Sequence, residues 1–155
     1  MRQEVRTEFA EREETRIAYR VFGTSPRDLV IVPGIISHVE YAHELPGYDE
    51  FIDYVAPHFR VIIFDKRGNG LSQKIGDLPP TLEQRMDDIR FVMDAANSKR
   101  ATIMGVSEGG SLSALFAAMY PDRTERLILF GAFAHTPGLE QLPVSYTHLR
   151  AHETS

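Results

Sequence analysis

Short apolar runs separated by longer stretches of mixed polarity set the rhythm of this chain. Residues 29–32 (Leu-Val-Ile-Val), 61–64 (Val-Ile-Ile-Phe), 102–104 (Thr-Ile-Met) and 127–130 (Leu-Ile-Leu-Phe) are continuous and rich in β-branched side chains. Runs of that length and composition predict strands buried on both faces, as in a parallel sheet covered by helices. Between them the period lengthens. Residues 81–97 place Leu82, Met86, Ile89, Met93 and Ala96 at alternating steps of four and three, which is one face of a helix. Pro79 and Pro80 precede it, and Thr81 and Gln84 stand in capping-box spacing at its start. Residues 108–120 carry Leu112, Leu115, Phe116 and Met119 on one side and stop before Pro121. Residues 48–58 predict a weaker helix with Phe51, Ile52 and Val55 as its apolar side.

The order is strand, helix, strand, helix, strand, helix, strand, which argues for an α/β parallel sheet with right-handed crossovers. Two extended segments precede it, at 3–9 and 15–22, the second with Ile17, Tyr19 and Val21 on one face. They predict an antiparallel hairpin at the sheet edge, joined by the charged turn 10–14.

Composition narrows the possibilities. A chain of 155 residues has room for one domain, and 43% hydrophobic with 25% charged side chains is ordinary for a globular protein. Its 22 acidic and 17 basic residues leave a net charge of −5, with no basic footprint for nucleic acid. There are no cysteines, which excludes disulfides, zinc-thiolate sites and thiol nucleophiles. The charged N-terminus is not a signal peptide, and no apolar run approaches the ~20 residues of a membrane span. The expectation is a soluble cytoplasmic domain. Neither cofactor nor metal is expected: Gly68 and Gly70 fail the dinucleotide pattern at Gln73, and His43-Glu44 lacks a second histidine, with Gly47 in its place.

The chemistry sits at Gly105-Val106-Ser107-Glu108-Gly109, followed by Gly110. This G-x-S-x-G pattern ends a predicted strand and opens a predicted helix, the setting a nucleophile elbow requires. A tight turn there raises Ser107 above the carboxyl edge of the sheet, and a Cβ at Gly105 or Gly109 would collide with neighbouring backbone. The competing reading is a glycine-rich turn that merely packs helix on strand; the agreement of strand, turn and helix favours the nucleophile. An acyl-transfer site also needs oxyanion donors. The backbone N–H of Glu108 is one candidate. The N–H of Ile35, in the loop 33–38 where Gly34 permits close approach, is the other. His38 and His43 read as hydrogen-bonding or surface residues rather than catalytic ones. Asp65 and Arg67 read as anchors of a tight loop through ion pairs and backbone hydrogen bonds. The Glu108 side chain could face either pocket or solvent.

Taken together, Pro33-Gly34, the Asp65-x-Arg67-Gly68-x-Gly70-x-Ser72 stretch and the 105–110 elbow resemble the N-terminal half of an α/β-hydrolase, over about residues 15–135. The stretches 17–23, 64–68, 82–88 and 105–110 resemble a bacterial subgroup often fused to adenylate/guanylate cyclase or helix-turn-helix regulator domains. The resemblance implies a partial α/β-hydrolase fold, truncated after the sixth strand, within residues 1–142. It implies that a longer parent protein is a serine hydrolase acting on a small ester, lactone or thioester, with this chain incomplete and inactive. The alternative is a non-catalytic ligand-sensing module regulating a fused domain. Ser in place of Asp disfavours epoxide hydrolase and haloalkane dehalogenase chemistry. Pro33 stands where many relatives have His. The family's triad order is Ser, acid, His, and the acid and His are expected to be absent from this chain. The alternative acid position reads Gly131-Ala132-Phe133. Residues 143–155 resemble a translated sequencing-adapter read-through, so Glu140, Glu153, His148 and His152 are not taken as triad members.

Overall fold

The computed structural model describes residues 4–132. Alternating side chains along each central strand feed two separate cores, one on each face of a single sheet. Its strands are β1 (Glu8–Arg12), β2 (Thr15–Phe22), β3 (Asp28–Val32), β4 (Arg60–Phe64), β5 (Ala101–Val106) and β6 (Thr124–Phe130). Their spatial order is β1-β2-β4-β3-β5-β6. β1 and β2 form the expected antiparallel hairpin, with its first strand at Glu8–Arg12 rather than 3–9, and β2 runs antiparallel to β4. β4, β3, β5 and β6 are mutually parallel. This is the mostly parallel α/β sheet of a partial α/β-hydrolase fold.

Three helices cover the sheet: α1 (Tyr48–Val55), α2 (Leu82–Ala95) and α3 (Gly109–Met119). Val30, Val32, Ile62, Phe64 and Ile103 point to the core shared with α2 and α3. Leu29, Val61 and Ile63 point the other way, against Ile52 of α1. All five apolar residues predicted for the α2 face are buried. Burying each of the four larger ones, Leu82, Met86, Ile89 and Met93, is worth about 1.5–3 kcal/mol. The predicted capping box is present, with Gln84 N donating to Thr81 Oγ1 at 3.1 Å and Thr81 N donating to Gln84 Oε1 at 2.9 Å.

Three expectations are corrected. The hairpin turn is shorter than 10–14: Arg12 pairs with Thr15, and only Glu13 and Glu14 turn the chain, Glu13 with φ 53°. Ala10 is buried in the core while Glu11 and Arg12 face solvent, so charges on an edge strand mimic a loop. In α3 the buried stripe runs through Gly109, Leu112, Ser113 and Phe116, which leaves Met119 at its edge and exposed. β6 is not buried on both faces. It is the last strand among the described residues, and its side chains are exposed, Phe130 to 64%. Residue 3 of the expected hairpin, the boundary at 142, the tail 143–155, Phe133, Glu140, His148, His152 and Glu153 lie outside the described residues.

Candidate active site

The carboxyl ends of β3, β4 and β5 converge on one place. β5 runs to Val106, and the chain reverses into α3 through Ser107, whose φ is 52°. A non-glycine residue in that left-handed region costs about 1–3 kcal/mol and persists only where its surroundings hold it. Two hydrogen bonds hold this one: Ser107 N donates to Phe130 O, and Gly110 N donates to Ser107 O, both at 3.0 Å. The flanking glycines are needed as the sequence suggested. A Cβ at Gly105 would lie 2.5 Å from Gly110 Cα and 2.6 Å from Ser113 Oγ. A Cβ at Gly109 would strike the carbonyl oxygens of Val32 and Pro33. Helix α3 therefore lies directly on the end of β3.

That close approach brings the 33–38 loop over the serine. A Cβ at Gly34 would sit 3.5 Å from Ser107 Cβ and 4.0 Å from Ser107 Oγ. Ile35 follows, exposed, and its carbonyl accepts from Asn69 Nδ2 at 2.9 Å. Beside this point opens a cavity of about 730 Å³. Gly34, Val106, Phe130, Ile31, Ile63, Met104, Val39, Leu45 and Phe51 are among the residues that line it. The walls are mainly apolar. Tyr48 also lines it, but its hydroxyl is buried with no hydrogen-bond partner among the described residues, and burial pushes its pKa up to about 12.

The loop after β4 braces the site. Asp65 is fully buried and accepts from Ser37 Oγ (2.8 Å), Val39 N (3.2 Å) and Leu71 N (3.0 Å). It thereby ties its own loop to the one after β3. Ser72 Oγ donates to the Asp65 carbonyl at 2.5 Å and accepts from Ala18 N at 2.9 Å. Arg67 makes a two-pronged ion pair with Asp88 of α2, at 2.7 and 2.6 Å. Burial holds the Asp88 carboxyl above its ordinary value, and Arg67 pulls against it. The anchoring role read for Asp65 and Arg67 is what the structure shows.

Glu108, the residue after Ser107, turns its carboxylate neither to open solvent nor to the cavity. It is paired with Lys66 Nζ and with the guanidinium of Arg85. Burial would raise the Glu108 carboxyl, but bonds to Lys66 and Arg85 outweigh it and leave it below the usual range. Burial lowers the Lys66 ammonium, against the opposing pull of Glu108. Sequence reading left this side chain undecided and missed Lys66, Arg85, Ser37 and Asn69. The one available signal was a lysine two residues after a buried strand, where a buried ammonium needs a counter-charge.

The described histidines each have partners of their own, although His38 also lines the cavity. His38 Nδ1 accepts from Glu40 N and Tyr41 N at 3.3 Å. His43 bonds the Glu40 carbonyl and the Glu44 carboxylate. His58 sits edge-on to Tyr54. Among the described residues, no group of three or more His, Asp or Glu is placed to hold a metal ion. Among them, too, no helix is long and apolar enough to cross a membrane.

The family model of the alpha/beta hydrolase fold matches residues 29–150. The chain belongs to this family. It is similar to the 2-hydroxy-6-oxo-2,4-heptadienoate hydrolase of Pseudomonas putida, 36% identical over 112 residues, covering 70% of this chain and 38% of that protein. It is also similar to the cis-3-alkyl-4-alkyloxetan-2-one decarboxylase of Shewanella oneidensis, 33% identical over 103 residues, covering 63% of this chain and 32% of that protein. Among solved structures, the enol-lactonase of Burkholderia xenovorans superposes with a TM-score of 0.70 at 28% identity, covering 83% of this chain and 48% of that one. A hydrolase from Pseudomonas aeruginosa gives 0.74 at 29% identity, covering 87% and 49%. This α/β-hydrolase chain thus spans 32–38% of these two curated relatives and about half of the solved ones.

Proposed function

We propose that Ser107 is the nucleophile of a serine hydrolase acting on a small ester, lactone or thioester. The observation that carries this reading is the left-handed backbone of Ser107, held at a strand-to-helix turn with Gly34 packed against it. In the proposed reaction a base removes the proton from Ser107 Oγ as that oxygen attacks the acyl carbon. The N–H groups of Glu108 and Ile35 receive the oxyanion, and the N-terminus of α3 favours its charge. The tetrahedral intermediate collapses with loss of the protonated leaving group. Water then hydrolyses the acyl-enzyme and restores the serine. The triad acid and histidine come from outside residues 4–132. The mainly apolar cavity suits the acyl or alkyl part of such a substrate. The likeness to an enol-lactonase supports a lactone within that class, and the likeness to a dienoate hydrolase supports hydrolysis more broadly.

The test is covalent labelling of the full-length protein with a fluorophosphonate probe, followed by peptide mapping. Labelling confined to Ser107 and abolished by Ser107→Ala is expected. A folded protein that binds acyl ligands yet resists the probe overturns the hydrolase reading in favour of a ligand-sensing module.

A further inference from the structure

Three separate elements meet at the residue that follows the nucleophile. Lys66 arrives from the loop after β4, Arg85 from the first turns of α2, and Glu108 from the elbow itself. Lys66 Nζ contacts Glu108 Oε2, and the Arg85 guanidinium contacts Glu108 Oε1, so both carboxylate oxygens are used. The Lys66 side chain is only 5% exposed, and those of Glu108 and Arg85 are 19% and 21% exposed. Charged side chains are rarely buried to this degree without partners. Glu108 also stands at the N-cap of α3, where a carboxylate could cap the helix, yet it makes no capping bond. It is turned away to the two cations instead.

The arrangement has an electrostatic consequence. A lone carboxylate one residue from Ser107 would repel the negative charge that develops during acyl transfer. Lys66 and Arg85 offset the charge of that carboxylate. It also has a mechanical consequence. The Ser107 backbone keeps its positive φ only where neighbours hold it, and the clamp fixes the very next residue from two other elements.

We propose that Glu108 is a positioning residue for the oxyanion hole, clamped by Lys66 and Arg85 so that its backbone N–H points at the developing oxyanion. The inference rests on Ser107 being the nucleophile. Lys66 and Arg85 act through Glu108 and touch no substrate.

The test uses the full-length protein, with p-nitrophenyl acetate turnover, fluorophosphonate labelling rate and thermal melting as readouts. Glu108→Gln, Lys66→Met, Arg85→Gln and Arg85→Lys are compared with Ser107→Ala. Loss of a whole oxyanion donor costs about 10²–10³-fold in kcat, so a misaimed donor is expected to cost about 10-fold or more. The fall should appear in kcat with KM within about twofold, and the labelling rate should fall in parallel. Arg85→Lys should recover most of it. Arg85 is partly exposed, so Arg85→Gln keeps the question open to test even if Glu108→Gln fails to fold. Unchanged kcat and labelling in folded Arg85→Gln overturns the clamp, as does a loss that merely follows the amount of folded protein. Wild-type turnover in Ser107→Ala, or neither turnover nor labelling in the wild type, overturns the nucleophile reading itself. A dead Ser107→Ala beside a fully active Arg85→Gln overturns the clamp alone.

Discussion

Two loops leave the same edge of the sheet and are built on opposite plans. The loop after β4, residues 65–72, is an inward-facing polar network: Asp65 is fully buried with three donors on its carboxylate, Ser72 is buried, and Arg67 reaches Asp88. The loop after β3, residues 33–38, carries exposed apolar side chains, Ile35 at 71% and Ile36 at 86%. It borrows its order, with Ser37 and Val39 held by Asp65 and the Ile35 carbonyl held by Asn69. One loop is a brace and the other is presented. A backbone loop that is to receive a reacting group, as proposed for 33–38, has to be both exposed and immobile; its exposure is its own and its immobility comes from the neighbouring loop.

The sharpest way to break this division is Asp65→Ala. It strands three donors in a buried site, each worth about 1–3 kcal/mol when left unmade. A loss of about 3–5 kcal/mol in urea unfolding is expected, with the 33–38 loop loosened as a consequence. Gly70→Ala comes next. Gly70 has φ 49° and its Cβ would run into the Asp65 carboxylate, so about 2–3 kcal/mol should be lost by the same measurement.

Gly34→Ala probes the presented loop and should separate stability from reactivity. Its new methyl would meet Ser107 Cβ at an ordinary 3.5 Å, so under about 1 kcal/mol of stability should be lost. Fluorophosphonate labelling of Ser107 should still slow about 10-fold, since the methyl stands beside the oxyanion path.

Acid titration tests the brace through Glu108. Its carboxyl is below the usual range in the folded chain, so the ionised form stabilises the fold. That contribution is complete above the ordinary carboxylate value and is lost as pH falls through the folded value, below about pH 4.5. The melting temperature of Glu108→Gln should therefore fall less steeply with acid than that of the wild type. An equal slope would place the acid sensitivity elsewhere. Ile36→Ser should do least, within about 0.5 kcal/mol, because an exposed side chain has little packing to lose. A larger loss would mean that the presented loop is packed after all.

Much of this arrangement can be read along the chain because its causes are local. The α2 stripe is a period, its Thr81–Gln84 cap is a spacing, and the elbow at Ser107 is a strand, a turn and a helix in sequence. Where local reading failed, distant residues were responsible. Glu11 and Arg12 look like turn residues but lie on an edge strand, because Ala10 must reach the core. β6 looks doubly buried, although among the described residues α3 covers it only in part and its side chains stay exposed. Asp65 and Arg67 were recognised as anchors, yet Ser37, 28 residues from Asp65, could not be named as a partner.

The sequence by itself determined the alternation of strands and helices and the strand–turn–helix at Ser107 on which the proposed chemistry rests, since these depend on residues within one or two turns of each other. The tertiary structure decided the sheet order, the seating of α3 on the end of β3, and the clamp on Glu108. Lys66 and Glu108 are 42 residues apart, and Arg85 and Glu108 are 23 apart. Charges at that separation have no relation in the unfolded chain. They become partners only when parallel pairing of β4, β3 and β5 brings the ends of their strands to one edge, where burial obliges each charge to find its opposite.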